Sequence, residues 1–406
     1  MKKLIFCFCF FIQSLIFTNA LFAQEKVLFK FKHQKDDASS YVSMVEEDVF
    51  YNGYLSHHSQ IVNRISSIIH DVDKDGTAQV TANYMTTEDS VSNFSKTALS
   101  WGTENTSNFK RKSDGELIIS DSLFMPTVRN VPLFPKYEVG IGETWTAKGK
   151  EVHDMRSYFN MTEPLIIPFE ANYKYVGNTN INNKNLCVID VDYEFFFQNT
   201  KDKIAKGSLF LATAGYSKQR LYWDQENGIL DHYTEEFRIK MSDVYNNLVE
   251  FRGVSKAEIT QAKFSNSKKN VEKLQKTVEN LKLKDVNIKE GSKGLTISIE
   301  NIQFEPDSAV LLDSEKKKLD IIATLLQDFS NDILITGHCA ERGSESARQV
   351  LSEQRAESVA SYLKQLGVRD AYHIFSQGKG STEPIASNAT EEGRQKNRRV
   401  EIIVLN

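Results

Sequence analysis

The stretch Ile335–Gly343 reads ITGHCAERG and joins an apolar strand pattern to a polar turn. The segment from Asp332 to Gly337 is short and apolar, which is typical of a buried strand. A helix is predicted from about Glu345, and Gly367 is expected to end it. Its buried stripe consists of small and branched apolar side chains, namely Ala356, Val359, Ala360 and Leu363.

The flanking residues continue this alternation of strands and helices. Further strands are predicted at Gly294–Phe304, Tyr372–Ser376 and Val400–Leu405. A helix capped by Asp307 or Ser308 is predicted between them, with an apolar stripe formed by Leu312, Leu319, Ile322, Leu326 and Phe329. Strands separated by helices indicate a small sheet covered by helices, a mixed α/β sandwich.

Three motifs together carry a resemblance to a known family. They are ITGHCAERG at 335–343, LSEQRA at 351–356 and GRQKNRRV at 393–400. This set resembles the OmpA-like peptidoglycan-associated domain, and the resemblance covers about residues 290–406. It implies an OmpA-like α/β sandwich that lies against a cell wall and has no enzymatic role.

The resemblance also implies how such a domain binds the wall, and this sequence departs from that pattern. In the family, an aspartate after Gly-His-Xaa holds the ammonium of diaminopimelate, and an arginine on the next helix holds its carboxylate. A zwitterionic head needs one acceptor and one forked donor at a fixed separation. Arg355 matches the arginine, but Ala340 stands at the aspartate position, and Arg348 replaces the usual asparagine at the helix start.

The tentative peptidoglycan-binding set implied by the resemblance is Gly337, His338, Ala340, Glu341, Gly343, Arg348 and Arg355. Glu341 is the one nearby replacement for the missing acceptor, although a one-residue shift on a tight loop usually turns a side chain elsewhere. Three interpretations stay open: weak wall binding, binding of a different stem peptide, or a spacer role. The plain alternative for Arg355 is a surface salt bridge to Glu353 or Glu357.

Residues 24–255 predict a β-rich domain, with one sheet or two subdomains. Apolar and polar residues alternate with period two, as in antiparallel strands that bury one face. The alternation is clearest in one series that contains Cys187, Ile189, Val191, Tyr193, Phe195 and Phe197. About ten strands fit between the turn signals. The expected fold class is therefore α+β multidomain, with an antiparallel curved sheet or sandwich before the OmpA-like domain.

The same alternation also suits an outer-membrane β-barrel with a periplasmic OmpA-like foot. Against this alternative stands the segment Phe124–Gly142, which carries Pro126, Pro132 and Pro135 among apolar residues. An apolar connection of this kind is expected to cover a soluble core. The soluble curved sheet is the preferred prediction, and the barrel remains the alternative.

Residues 256–289 are predicted to be a helical linker. Their apolar residues follow helical spacing at Val271, Leu274, Val278 and Leu281. This stripe is narrow and too short for a stable coiled coil. We expect the helix to dock on the terminal domain, and weak pairing with a second copy is the alternative.

The chain begins like an exported protein. Lys2 and Lys3 precede an apolar run and a small-residue site before Gln24, which is typical of a cleavable signal peptide at residues 1–23. The full chain has 50 basic and 54 acidic residues, a mildly acidic balance that gives no support to nucleic-acid binding. Of the four cysteines, only Cys187 and Cys339 lie beyond the signal peptide, and a disulfide between them is not expected.

One acidic segment raises the possibility of a metal site. Asp71, Asp73 and Asp75 resemble the start of a calcium loop, but Ala82 occupies the position where a bidentate glutamate is needed. An acidic hairpin turn is the preferred interpretation, and His57, His58 and His70 nearby show no interpretable zinc spacing. No catalytic motif is present, and no cofactor is expected.

These observations predict a non-enzymatic envelope protein on the periplasmic side of the outer membrane. It would tie the outer membrane or a periplasmic partner to peptidoglycan. The alternative is a periplasmic interaction protein whose terminal domain has lost wall binding and whose β-domain holds a protein or apolar ligand. Peptidoglycan and an envelope protein are the expected partners; nucleic acid and a small-molecule substrate are not expected.

Overall fold

The computed structural model describes residues 26–90, 99–261, 267–280, 283, 285–291, 293–305 and 308–405. The predicted signal peptide at 1–23, Leu281 of the predicted stripe and the predicted cap Asp307 lie outside these residues. In the part of the chain that is described, no helix is long and apolar enough to cross a membrane.

The N-terminal region forms one antiparallel sheet of twelve strands. Its strands are β1 (Ala38–Tyr51), β2 (Tyr54–Val72), β3 (Ala78–Ser90), β5 (Thr103–Arg111), β6 (Leu117–Ile118), β7 (Val128–Arg129), β8 (Thr144–His153), β9 (Leu165–Ile181), β10 (Lys184–Gln198), β11 (Phe210–Asp224), β12 (Ile229–Asp243) and β13 (Leu248–Gln261). They lie in the order β6-β5-β3-β2-β1-β13-β12-β11-β10-β9-β8-β7. Two short helices interrupt them, α1 (Arg156–Phe159) and α2 (Lys201–Ala205). The predicted strand-rich, curved antiparallel sheet is confirmed.

This sheet rolls up until its two edges lie together. The backbone N–H of Leu117, in edge strand β6, donates to Oδ1 of Asn130, just after edge strand β7, at 2.9 Å. The N–H of Phe134 donates to the carbonyl of Asp114 at 2.8 Å. Side chains therefore point either outward or into an enclosed interior, which explains the alternating burial along β9.

Aromatic residues fill one end of the roll, which we call the aromatic end. Phe134 packs there against Phe29 and Trp223, with ring centroids 5.5 and 4.7 Å away. Phe134 and Val139 are buried, so the proline-bearing segment 124–142 covers this core as its apolar content predicts. Trp145 belongs to the same cluster.

The C-terminal region forms a second sheet of six strands. In sheet order these are β14 (Val286–Gly291), β15 (Gly294–Glu300), β18 (Arg399–Leu405), β16 (Ile333–His338), β17 (Ile374–Gly378) and β4 (Leu99–Ser100). Its helices are α3 (Ser267–Asn280), α4 (Asp313–Leu326), α5 (Glu345–Gln365) and α6 (Glu391–Asn397). Strands and helices alternate here as predicted, although α4 begins at Asp313 with Leu312 as its N-cap.

Helices α3, α4 and α5 bury one face of this sheet in a common core. Leu274 and Val278 of α3 are 2% and 7% exposed and belong to that core. The structure thus shows the predicted helix docked on the terminal domain. Within the segment predicted as a linker, β13 continues to Gln261 and β14 joins the second sheet.

The opposite face of the second sheet packs against the outside of the rolled sheet. Leu334 and Phe375 meet Val42 and Met44 in a shared core that also contains Val62, Met85, Ile403 and Leu405. Strand β4 leaves the N-terminal region and pairs in parallel with β17. The two regions are therefore joined by a packed interface in addition to the covalent segment 256–289.

Candidate functional site

The loop between β16 and α5 is placed by two glycines and a cap. A Cβ added to Gly337 would lie 2.2 Å from the carbonyl oxygen of Ser352, so only glycine lets β16 approach α5 this closely. Gly343 has a φ of 82°, in the left-handed region that favours glycine. The Ser344 side chain then accepts a hydrogen bond from the N–H of Ala347 at 3.3 Å and starts α5.

The segment between β17 and β18 holds this loop from the other side. The N–H of Cys339 donates to the carbonyl of Gly380 at 2.7 Å, and the N–H of Glu341 donates to Oδ1 of Asn388 at 3.2 Å. Asn397 donates to the same Asn388 oxygen at 2.9 Å. The motif at 393–400 therefore supports the loop as scaffolding.

Two arginines lie beside the loop. Arg348 donates from Nη1 to the carbonyl of Gly343 at 2.6 Å, and the guanidinium of Arg355 lies 4.8 Å from the ring centroid of Phe304. Burial raises the pKa of the Cys339 thiol, and the charges of Arg355 and Arg348 act in the opposite direction. The Cys339 thiol, next to Ala340 in the chain, donates to the carbonyl of Arg348 at 3.6 Å, which ties the loop to the first turn of α5.

The position of the missing acceptor is enclosed. Ala340 is 7% exposed, so a buried methyl group occupies the place where the family pattern has an aspartate. Glu341 is exposed on the solvent side of the same loop. The site thus contains two cations, Arg348 and Arg355, and has no acidic group at position 340, where the family pattern has an aspartate.

His338 lies on the other face of the sheet. Side chains alternate along a strand, so His338 shares a face with Leu334, whereas Gly337 faces α5. Its Nε2 is 3.8 Å from Glu401, which is too long for a full hydrogen bond. Burial lowers the pKa of His338. The structure therefore separates His338 from Arg355 and places it with the buried polar groups of the second sheet.

Glu401 is the centre of that polar group. Its Oε1 accepts a hydrogen bond from Nε of Arg399 at 2.9 Å. Burial acts to raise the pKa of Glu401, but His338 and Arg399 outweigh this effect and hold that pKa at about 2. Glu401 therefore stays ionised as a structural partner of Arg399.

Phe304 and Asn388 are site residues that sequence reasoning missed. Phe304 lies against the Arg355 guanidinium, and Asn388 accepts a hydrogen bond from the loop backbone. Neither lies in the three motifs. Phe304 is the last residue of the predicted strand 294–304. Its position in that strand predicted a core residue and did not predict a contact with Arg355.

The acidic segment after β2 is a turn between strands. The N–H of Asp73 donates to the carbonyl of Thr77 at 2.8 Å, and Asp75 accepts from the N–H of Thr77 at 3.0 Å. Asp71 is the last but one residue of β2. Across the residues that the structure describes, no group of three or more His, Cys, Asp or Glu has a metal-binding arrangement.

Comparisons with known proteins agree with the second sheet and its loop. Residues 303–398 match the model of the OmpA family. The chain is 45% identical over 104 residues to the peptidoglycan-binding protein ArfA of Mycobacterium tuberculosis, covering 25% of this chain and 32% of that protein. It is 41% identical over 103 residues to the probable lipoprotein YiaD of Escherichia coli, covering 25% of this chain and 47% of YiaD. The chain thus spans about a third of the first relative and about half of the second.

A third relative is matched over most of its length. The outer-membrane lipoprotein YfiB of Pseudomonas aeruginosa is 36% identical over 121 residues, which cover 28% of this chain and 71% of YfiB. The match to the family model begins at residue 303, after the last strand of the rolled sheet. Through its C-terminal domain, the chain belongs to the OmpA family.

Proposed function

We propose that this chain is a non-enzymatic cell-envelope protein that binds peptidoglycan through its OmpA-family domain. In this role it ties the outer membrane or a periplasmic partner to the wall. The observation that carries the proposal is Arg355, which lies beside the β16–α5 loop at the position where the family pattern places a carboxylate-binding arginine. The relative ArfA, named as a peptidoglycan-binding protein, supports it.

Arg355 is suited to hold a carboxylate of the wall peptide. A guanidinium offers a planar fork of donors that matches both oxygens of a carboxylate. The centroid of the Phe304 ring lies 4.8 Å from this guanidinium, close enough for a cation–π contact.

We infer that binding is weaker than a complete site would give. Loss of one member of a buried charge pair costs about 2–5 kcal/mol, which exceeds a factor of ten in affinity. The buried methyl of Ala340 accepts no hydrogen bond, and Arg348 adds a second positive charge next to the loop. A free ammonium group of a stem peptide would be repelled at this place, whereas a stem that lacks it would not.

A sedimentation assay with purified sacculi tests the proposal. The chain from residue 24 onward is mixed with diaminopimelate-type sacculi, and the bound fraction is measured for the unchanged chain, Arg355→Ala and Arg220→Ala. Arg220 is the matched control, because it is an exposed arginine on the rolled sheet that pairs with Asp190 at 2.7 Å. We expect Arg355→Ala to reduce binding at least several-fold and Arg220→Ala to leave it unchanged. Equal binding by all three would reject Arg355 as the contact.

The reverse substitution tests the missing acceptor. Ala340→Asp restores a carboxylate beside Arg355 and Arg348, so we expect stronger binding to diaminopimelate-type sacculi. No gain in this variant would show that the acceptor comes from another group, with Glu341 as the nearest exposed carboxylate. Glu341→Gln, made in the chain that keeps Ala340, then tests whether Glu341 supplies the acceptor. Weaker binding in this variant would identify Glu341, and unchanged binding would exclude it.

The second candidate is a periplasmic interaction protein without wall binding. The packed interface between the two sheets favours it, since the terminal domain already serves there as a partner for the rolled sheet. If the unchanged chain and Ala340→Asp both fail to sediment with sacculi, this second candidate replaces the first. For either candidate we propose a location on the periplasmic side of the outer membrane. Fractionation of cells producing the full chain tests that location, and recovery in the cytoplasm would reject it.

A further inference from the structure

Exposed aromatic side chains gather at the end of the rolled sheet that lies opposite the aromatic end. Among the large apolar and aromatic side chains that the structure describes, Tyr54, Tyr245 and Phe196 are the most exposed, at 81%, 70% and 69%. Tyr54 begins β2, Tyr245 lies in the turn after β12, and Phe196 lies two residues before the end of β10. Strand β11 begins at this end with Phe210 and runs to the aromatic end. We call residues 51–55, 196–209 and 243–248 the tyrosine end.

Hydrogen bonds join the two turns that carry the tyrosines. Asn52 and Gly53 have φ values of 49° and 88°, in the left-handed region that a two-residue Asn-Gly hairpin turn requires. The N–H of Asn52 donates to the carbonyl of Leu248 at 2.8 Å, and the N–H of Leu248 donates to Oδ1 of Asn52 at 2.8 Å. The β1–β2 hairpin and the β12–β13 turn therefore form one continuous surface.

Asp243 orders the turn that carries Tyr245. Its Oδ1 accepts hydrogen bonds from the N–H groups of Tyr245 and Asn247 at 2.8 and 2.9 Å. Its Oδ2 accepts a hydrogen bond from Nδ2 of Asn247 at 2.7 Å. The carboxylate is thus used within the turn, while the ring of Tyr245 stays exposed. A ring on a turn that is already ordered loses little further backbone freedom when it binds a partner.

Positive charge lies next to these turns. The N–H of Val244 donates to the carbonyl of Leu209 at 2.9 Å, which joins the β12–β13 turn to the segment that follows α2. Three exposed lysines lie on α2 or directly after it, namely Lys201, Lys203 and Lys206. None of the three forms an ion pair with a residue that the structure describes, and α2 carries a single acidic residue, Asp202. The excess of positive charge is local to α2, because the neighbouring connection 154–164 carries two acids and one arginine.

Ion pairs cover the sides of the roll below the tyrosine end. Glu250 of β13 pairs with Arg252 at 2.6 Å, and Asp190 of β10 pairs with Arg220 at 2.7 Å. Charged groups of this kind are costly to move into hydrocarbon. Phenol rings and the stems of lysines, in contrast, favour the boundary between water and lipid. A lipid surface would therefore meet this domain at its end and would not cover its sides.

We propose that the tyrosine end binds the surface of a phospholipid membrane, with the rings of Tyr54 and Tyr245 in the headgroup region and the lysines of α2 on lipid phosphates. The ammonium groups of these lysines are complementary in charge to the phosphates. This site deepens the envelope role proposed above and rests on that role for its location beside the outer membrane. It identifies the membrane, rather than a periplasmic partner, as the structure that the chain ties to the wall. Binding is peripheral and reversible, because only a few side chains enter the lipid.

Sedimentation with sucrose-loaded vesicles of phosphatidylethanolamine and phosphatidylglycerol tests this site. The chain from residue 24 onward, which lacks the apolar run near the start of the sequence, is compared with Tyr54→Ser, Tyr245→Ser and Tyr137→Ser. Tyr137 is the matched control, because it is 59% exposed and lies in the segment 124–142 at the aromatic end. We expect each of the first two variants to weaken vesicle binding about fivefold or more and Tyr137→Ser to leave it unchanged.

A charge reversal on α2 tests the contact with lipid phosphates. Lys203→Glu should weaken vesicle binding at low salt, and the difference from the unchanged chain should shrink as salt is added. Lys136→Glu is the control, because it reverses an exposed lysine at the aromatic end and should leave binding unchanged. A lack of vesicle binding by the unchanged chain would overturn the proposal. Unweakened binding by Lys203→Glu, or by both Tyr54→Ser and Tyr245→Ser, would also overturn it.

Two further measurements separate this site from the wall contact and from self-association. Tyr54→Ser and Tyr245→Ser should sediment with sacculi as the unchanged chain does, because Arg355 lies in the C-terminal domain. If the unchanged chain fails to bind sacculi but gives the expected vesicle results, the wall contact is rejected and the tyrosine end is still supported. Analytical ultracentrifugation without vesicles tests for a second copy of the chain. A dimer that Tyr245→Ser dissociates would show that protein covers this surface and would overturn the proposal.

Discussion

Arg64 and Asp332 form a buried ion pair between the two sheets. Nε of Arg64, on the outer face of β2, donates to Oδ2 of Asp332 at 2.7 Å, and the two side chains are 6% and 0% exposed. Asp332 immediately precedes β16. Nδ1 of His373 donates to the other oxygen of Asp332 at 2.8 Å, so the pair belongs to a small network at the interface.

Removal of one partner from this pair should destabilise the protein strongly. Arg64→Ala leaves the Asp332 carboxylate enclosed without its main cation, and we expect a loss of about 3–5 kcal/mol in the free energy of unfolding. Urea denaturation measures this loss. The control is Arg220→Ala, which breaks an exposed pair with Asp190 and should cost about 0–1 kcal/mol. Equal effects in both variants would show that the interface is open to water.

The same network should make stability depend on pH. Burial acts to lower the pKa of His373, but its contact with Asp332 and the charges of Asp332, Asp370 and Glu258 raise it above 6.5. Protonated His373 therefore contributes stability below pH 6.5 that is lost as pH rises through its raised folded pKa. We expect lower urea midpoints at pH 8 than at pH 6.

His373→Gln provides the control for this pH dependence. Glutamine keeps a hydrogen-bonding group but does not titrate, so the change in midpoint between pH 6 and pH 8 should shrink. Asp332 contributes in a lower pH range. Because its pKa is lowered from 3.8 in the folded protein, the stability that it provides is lost as the pH falls below 3.8. An unchanged slope between pH 6 and pH 8 in the variant would assign the effect to another group.

Docking of α3 should contribute to the stability of the terminal domain. Leu274 is 2% exposed, and Leu274→Ala should cost about 2–5 kcal/mol by the loss of a large buried side chain. Glu279→Ala on the exposed face of the same helix should have little effect. If Leu274→Ala is also nearly neutral in thermal unfolding, α3 does not dock in solution.

The close approach of β16 and α5 gives a prediction at Gly337. A methyl group there would lie 2.2 Å from the Ser352 oxygen, so Gly337→Ala should push the helix away and cost about 1–3 kcal/mol. Gly140→Ala is a suitable control, because its new methyl would lie 3.4 Å or more from neighbouring atoms. Sacculus binding should fall in Gly337→Ala but not in Gly140→Ala, because Arg355 moves with α5.

The local patterns of this sequence predicted much of the fold. Period-two alternation identified β10 because one face of that strand is buried, and Gly367, with a φ of 72°, follows the end of α5 as its position suggested. The interface between the sheets was not predicted. From the sequence, Leu334 and Phe375 could be predicted only to be buried. No local pattern specifies that they pack against Val42 and Met44.

The site was predicted in part for a similar reason. The motifs located the loop and the helix that carries Arg355, since both depend on residues near one another in the chain. The stacking of Phe304 on Arg355 joins residues far apart in sequence, and it became visible only in three dimensions. The separation of His338 from this site follows from strand alternation combined with the knowledge of which face α5 covers.

Strand β4 has a mechanical consequence for the wall binding proposed above. Because Leu99 and Ser100 extend the sheet that carries the β16–α5 loop, tension applied at that loop reaches the rolled sheet by two routes. One route is the covalent segment 256–289, and the other passes through β17, β4 and the Arg64–Asp332 pair. A pulling force would therefore have to shear the interface before it could stretch the connecting segment.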